Sequence, residues 1–465
     1  MTATQKTQEN KMGTMPVKQL LITMSLPMII SMLIQALYNI VDSIFVSQIS
    51  ENTLTAVSMA FPIQNLMIAV AAGTGVGVNA LLSRNLGEKN FRSANLAANN
   101  GILLAICSYL LFLIFGLTMV EPYYLSHFSE EELLIDPEGC QEIITAGINY
   151  LRICTVFSIG IFVQITFERL LMSTGKTFYN MITQGTGAII NIILDPILIF
   201  GYLGFPKLGV SGAAIATITG QLIAMSLGII FNQKKNKEIH LTLRDMKPHF
   251  PTIGAIYAVG LPSIIMQSIG SIMTYGMNRI LNLITPTAVS VFGIYFKLQS
   301  FIFMPIFGLN NGMVPIVAYN YGARNKKRIL DTIRLSVFIA VGIMLFGLLI
   351  FQLIPGLLLK LFEASDEMLT IGIPALRTIS ISFLFAGYCI IISSVFQALG
   401  NGVYSLLVSV FRQLIVILPA AWILANQFGL RAVWYSFPLA ELVSLGLCTF
   451  FLFRIYQKKL KQMEN

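Results

Sequence analysis

The stretch VKQLLITMSLPMIISMLIQALYNIVDSIFVSQ, from Val17 to Gln48, decides the class of fold. Its apolar run is longer than the about 20 helical residues that cross a bilayer. Within it stands one carboxylate, Asp42, which at membrane depth costs roughly 2.5–3.5 kcal/mol on insertion scales and so needs a partner or a purpose. Tyr38 lies one helical turn earlier, on the same face. Pro27 removes a backbone donor, which predicts a bend or hinge there.

The composition of the whole chain extends this conclusion. Of the 465 residues, 55% are hydrophobic and only 11% are charged, with a mean hydropathy of +0.76. A soluble domain has about 25% charged residues. The chain is therefore predicted to be an all-α integral membrane protein that crosses the bilayer many times.

Twelve apolar spans can be drawn, numbered here 1 to 12 in chain order. They cover residues 18–46, 54–83, 94–120, 142–168, 178–201, 209–231, 251–281, 287–319, 330–354, 368–397, 403–425 and 431–455.

Orientation follows from the positive charges. Most lysines and arginines lie in the N-terminal tail, the even-numbered loops and the C-terminus, whereas the odd-numbered loops hold only Lys207, Lys360 and Arg431. The positive-inside rule therefore places both termini in the cytoplasm, and the acidic loop Glu121–Glu142 outside the membrane. The net charge of +9 is explained by this topology, so no nucleic-acid partner is expected.

The two halves of the chain repeat. Ser25-Leu26-Pro27 recurs as Gly260-Leu261-Pro262, and Asn85-Leu86-Gly87 as Asn320-Tyr321-Gly322, both at a spacing of 235; Gly175 matches Gly400 at 225. Spans 1–6 thus map onto spans 7–12 in the same membrane orientation, which predicts two pseudo-symmetric six-helix bundles. The predicted domains are an N-terminal tail (1–17), an N-lobe (18–231), a linker (232–250), a C-lobe (251–456) and a C-terminal tail (457–465).

With these residues in view, the sequence resembles the multidrug and toxic compound extrusion (MATE) transporters. The pattern Pro27…Tyr38…Asp42 in span 1 and Asn191…Asp195-Pro196 in span 5 carry the likeness, together with the glycines that end spans 2 and 8. It looks closest to the bacterial branch with its acids in the first lobe. The resemblance implies two bundles that exchange a bulky, often cationic drug for H⁺ or Na⁺ by alternating access.

The predicted coupling residues are Asp42, Asp195, Asn191 and Tyr38, with Pro27 as a hinge. Spans 1 and 5 run in the same direction, so the two acids are expected at similar depth. Neighbouring carboxylates would repel each other, so that one would hold a proton or both would share a small cation. Sodium would require further oxygens, such as the hydroxyl of Ser211 or Thr217. The sequence is compatible with either H⁺ or Na⁺ as the coupling ion. We favour the proton because it needs only one carboxylate.

Polar residues inside other spans are candidates for the substrate cavity: Gln35, Asn39, Gln64, Asn278, Lys297 and Glu441. Lys297 and Glu441 could meet the substrate or each other. Glu168 is expected at the end of span 4, in water. No metal-ligand spacing or nucleophile–base set appears, so we expect no enzyme activity, no cofactor and no metal beyond the coupling ion.

Two other functions would make different demands on the sequence. A flippase for a lipid-linked oligosaccharide precursor should have a cavity rich in arginine and lysine to hold pyrophosphate, and the sequence offers mainly Lys297. A channel or receptor is disfavoured by the long parallel repeat. The predicted partners are small-molecule drugs and the lipid bilayer, and the predicted oligomeric state is a monomer.

Overall fold

A computed structural model describes residues 10–129, 135–242 and 246–463. Parts of both predicted tails, of the acidic loop and of the linker lie outside these residues. All regular elements in the described part of the chain are helical, as the apolar spans predict.

Ten of the described helices are long and apolar enough to cross a membrane, and two bent helix pairs would each add one more span. This confirms the predicted twelve. Spans 1–3 are Val17–Ser47, Glu51–Gly87 and Phe91–Thr118; spans 5–9 are Thr177–Phe200, Val210–Lys235, Phe250–Asn282, Pro286–Gly322 and Lys326–Leu353. Span 4 consists of Pro137–Val156 and Ile159–Ser173, bent by 42°, and span 10 of Asp366–Ser380 and Phe383–Ala398, bent by 50°.

The last two spans contain irregular turns. Span 11 runs as Gly402–Val410, a π-helical segment Phe411–Ile417, and Leu418–Phe428. Span 12 is Ser436–Ile455, followed by the π-helical turn Tyr456–Leu460. A π-helical segment adds a residue to a turn and rotates the side chains around it, and such segments are frequent at functional sites. The predicted bend at Pro27 is not a break, since span 1 is one helix through that residue.

The repeat is visible in the backbone. Lys89 and Arg324, 235 positions apart, both adopt the left-handed region, with φ of 57° and 55°. Gly175 and Gly400, at the spacing of 225, do the same with φ of 81° and 75°. Each pair ends a helix in the same way in both halves, so the sequence matches reflect a repeated chain path.

Residues 10–235 and 250–463, called here the first and second halves, contact each other near one end of the bundle. We call this end, which carries the segment 236–249 between spans 6 and 7, the linker end, and the opposite one the far end. Side chains added at Gly73 and Gly308 would run into the backbone of Ile264 and Ile29, respectively. These glycines and isoleucines are themselves repeat-related, so the halves meet through matching surfaces of spans 2 and 7 and of spans 8 and 1.

Residues just before span 1 also join the halves at the linker end. The side chain of Asn10 donates to the carbonyl of Thr174 at 3.3 Å and to Glu238 at 2.6 Å, both in or next to the first half. The carbonyl of Met12 accepts from Asn320 and Arg328 of the second half, both at 3.0 Å. Met12 itself is fully buried. This end of the bundle is therefore closed by contacts between the halves.

Candidate functional site

Asp42 and Asp195 come together inside the first half, towards its far end. Asp195 is fully buried and Asp42 is half-buried. Their carboxyl groups lie within hydrogen-bonding reach of each other. The structure thus brings together the two acids that the sequence places at similar depth.

Polar groups from spans 1, 5 and 6 surround the pair. Asn191 lies one turn before Asp195, and its Nδ2 is 2.9 Å from Asp195 Oδ2 in the orientation of the amide that satisfies its neighbours. Its Oδ1 then accepts from the Thr217 hydroxyl at 3.1 Å. The phenol of Tyr38 lies near Thr217 and both acids. Of the two hydroxyls considered from the sequence, Thr217 is therefore the one that joins this cluster.

The arrangement suits the capture of a small cation or a proton. Two carboxylates can hydrogen-bond to each other only if one of them carries a proton, since an ionised carboxylate only accepts. Asp195 Oδ1 is buried, and no fixed donor of the described residues reaches it. The second half has Met277 and Leu418 near the repeat-related positions, so the acid pair has no counterpart there.

The cavity candidates have varied surroundings. Gln64 donates to the Tyr150 hydroxyl at 3.1 Å and so helps to join spans 2 and 4. Gln35 and Asn39 are exposed on span 1, and Asn278 is half-buried on span 7. Lys297 is also exposed, with its ammonium 5.9 Å from the centre of the Phe362 ring.

Of the two possibilities given for Lys297 and Glu441, a contact with the substrate or with each other, the structure contradicts the second. Glu441 is paired instead with Arg412, at 3.1 Å between Oε1 and Nη1. Arg412 lies in the π-helical segment of span 11, whose altered turn places its side chain towards span 12. A charged residue inside a predicted span was the signal that could have identified it.

The expectation for Glu168 is also wrong. The second helix of span 4 continues to Ser173, past the predicted end, so Glu168 is only 3% exposed and not in water. Its carboxylate accepts from Gln164 at 2.8 Å and from Gln184 at 2.7 Å. This buried polar cluster joins spans 4 and 5, and the hydroxyl of Ser31 extends it to span 1.

A cavity of about 210 Å³ lies between the two halves. None of the six candidates from the sequence lines it, and sequence reasoning also missed the two arginines that do. Arg169 of span 4 and Arg412 of span 11 both line it, together with Asn310 and Asn311 of span 8. The expectation that Lys297 is the main positive charge available to a cavity is therefore incorrect.

Comparison with known proteins agrees with this architecture. The chain is 28% identical over 436 residues to the multidrug export protein MepA of Staphylococcus haemolyticus, covering 93% of this chain and 92% of the relative. It is 26% identical over 429 residues to MepA of Staphylococcus aureus, covering 92% and 91%. A solved structure described as the outward-facing conformation of a multidrug resistance MATE family transporter superposes with a TM-score of 0.90 at 27% identity, covering 98% of this chain and 99% of the other. The MatE family model matches residues 27–197 and 262–423, so the chain belongs to the MatE family.

Proposed function

We propose that this protein is a secondary active multidrug efflux antiporter. It exchanges lipophilic drugs for H⁺, or for Na⁺, by alternating access across the bacterial plasma membrane. The observation that carries the proposal is the contact of Asp42 with Asp195 inside the first half, because intramembrane carboxylates are costly unless they serve a function. The likeness to the MepA proteins supports drugs as the substrates.

The contact between the two carboxyl groups favours the proton as the coupling ion. A shared proton makes this contact attractive, whereas two ionised carboxylates would repel each other. A sodium ion would need several oxygen ligands. Asp42, Asp195, Asn191 Oδ1 and Thr217 supply four candidates, but the amide orientation that joins Asn191 to Asp195 turns its nitrogen, not its oxygen, towards the acids.

The closed linker end supports alternating access as the transport mechanism. The halves pack against each other at the linker end, and the linker end faces the cytoplasm if the positive-inside rule holds. This conformer would be closed to the cytoplasm. Ion binding at Asp42 and Asp195 and drug binding between the halves then favour different conformers, and each ligand weakens the affinity for the other.

Uptake into inverted membrane vesicles tests the proposal. Vesicles are given an acidic interior, with and without a sodium gradient, and the uptake of lipophilic dyes of either charge is followed by fluorescence. We expect uptake with the pH gradient alone, and none with Asp42→Asn. Uptake driven by sodium alone would show that the coupling ion is Na⁺ and not H⁺, and would leave the assignment of the coupling site to Asp42 and Asp195 unchanged. Full uptake by Asp42→Asn at normal expression would overturn the coupling mechanism.

A further inference from the structure

The cavity between the halves has an unusual electrostatic character for an exporter of cations. Among the described residues, no aspartate or glutamate lines it, whereas Arg169 and Arg412 line it from opposite halves. We infer that this cavity binds the carboxylate of an amphiphilic small molecule. The inference rests on the proposed transport function and specifies the chemical class of its substrate.

The two arginines differ in how far their charges are balanced. Arg412 is paired with Glu441, which lies behind it on span 12. Arg169 makes its hydrogen bonds to neutral groups, Asn311 Oδ1 at 3.0 Å and the sulfur of Met172 at 3.8 Å. The next residue, Glu168, directs its two carboxylate oxygens to glutamines. Neither glutamate lines the cavity, so the charged side chains in its described lining are both positive.

Donors are available for an oxyanion. A guanidinium carries five N–H groups in a planar fork that fits a carboxylate. Within the described part of the chain, the hydrogen bonds of both arginines use only Nη1. Charge-assisted hydrogen bonds of this kind are about twice as strong as neutral ones, and more so away from water.

The other residues that line the cavity favour an amphiphilic ligand. Met266, Phe307 and Val314 supply apolar wall, and they lie on spans 7 and 8. Asn310 is 7% exposed, and its Oδ1 has no partner among the described residues. That oxygen is available to an N–H or O–H group elsewhere on the same ligand. A volume of about 210 Å³ holds a carboxylate and a two-ring apolar body.

A matched pair of probes with the same apolar body tests the inference. The full-length protein is placed in nanodiscs of uncharged phosphatidylcholine, with no ion gradient, and titrated calorimetrically with 1-naphthylacetate and with 2-(1-naphthyl)ethylammonium. We expect the carboxylate to bind at least about tenfold more tightly. Equal affinities, or tighter binding of the ammonium compound, would overturn the inference.

Two variants locate the binding. Arg169→Gln should weaken naphthylacetate binding about tenfold and change the affinity for the ammonium probe less than twofold. Asn311→Asp keeps the side-chain shape and the hydrogen bond to Arg169, and its carboxylate neutralises the charge of Arg169. It should therefore also weaken naphthylacetate binding, and it tests the site even if Arg169→Gln unfolds. Arg431→Gln, at an exposed position, is the control and should have no effect. Unchanged carboxylate binding by Asn311→Asp would refute the site.

Two further measurements distinguish a site for carboxylate ligands from a site for lipid headgroups, and separate binding in the cavity from ion coupling. Nanodiscs that contain phosphatidylglycerol should leave naphthylacetate affinity unchanged; strong competition would assign the cavity to an anionic lipid headgroup instead. Asp42→Asn should retain naphthylacetate binding although it abolishes gradient-driven transport. Failure of the coupling mechanism is thus distinguishable from failure of the carboxylate site.

Discussion

Gly87 and Gly322, 235 positions apart in the sequence, pack against each other's helices at the linker end. Gly87 lies against the carbonyl of Tyr319, and Gly322 lies against the carbonyl of Arg84, which is the repeat-related residue of Tyr319. The two halves therefore close on a pseudo-twofold axis through this contact. Glycine is required because any Cβ would overlap a carbonyl oxygen of the other half.

Substituting either glycine should open this contact. We expect Gly87→Ala and Gly322→Ala each to destabilise the closed linker end by about 1–3 kcal/mol, the usual cost of overpacking. Cross-linking of cysteines placed at Glu88 and Ala323, in a background without other cysteines, should slow accordingly. Gly254→Ala is the control, because a Cβ at Gly254 meets no atom within 4 Å. Equal cross-linking rates in all three variants would contradict this account.

The acid pair should be essential for transport. Asp42→Asn and Asp195→Asn each remove an ionisable group and almost no volume, so both proteins should fold and insert normally while export falls at least about tenfold. The measurement is drug accumulation in an efflux-deficient strain, normalised to the amount of protein in the membrane. Asp366→Asn, at an exposed position in the second half, should export normally.

The hydroxyl of Thr217 should support the acid pair. It bonds to Asn191, which in turn contacts Asp195, so Thr217→Val should leave the volume unchanged and lower the rate of ion-driven uptake several-fold. Thr219→Val is a matched control two residues along the same helix, because the Thr219 hydroxyl is exposed and bonds only to the carbonyl of Ile215 among the described groups. A rate lowered equally by both variants would indicate a general effect on span 6.

The pair of Arg412 and Glu441 should show strong energetic coupling. Glu441→Ala leaves the partly buried guanidinium of Arg412 without its partner, which should cost less than the about 3–5 kcal/mol typical of a fully buried pair. Replacing both residues with apolar ones, Arg412→Met and Glu441→Leu, should restore most of the thermal stability in detergent. Dependence of uptake on the ion should persist in the double variant. Its loss would place part of the coupling site in the second half.

The orientation of the bundle can be tested with single cysteines. A cysteine at Lys235, at the linker end, should react with a membrane-impermeant maleimide only after the cells are opened. A cysteine at Glu138, at the far end, should react in intact cells. The opposite pattern would invert the topology that the distribution of positive charges predicts.

The sequence by itself determined the class of fold, the number of spans, the repeat and the two acids. These depend on local properties, since a span needs only a sufficient apolar length and a repeat leaves matching residues such as Gly87 and Gly322. Asp42 and Asp195 were recognisable because a carboxylate in an apolar run is conspicuous in any arrangement of the helices.

The tertiary structure decided which side chains meet. Glu441 is paired with Arg412 and not with Lys297, because a π-helical segment turns the side chains of span 11 and Lys297 lies on an exposed surface. Glu168 is buried because span 4 continues past its predicted end. Arg169 reaches the cavity only through the packing of one half on the other. Contacts of this kind depend on the rotation and ends of helices distant in sequence, which hydropathy does not encode.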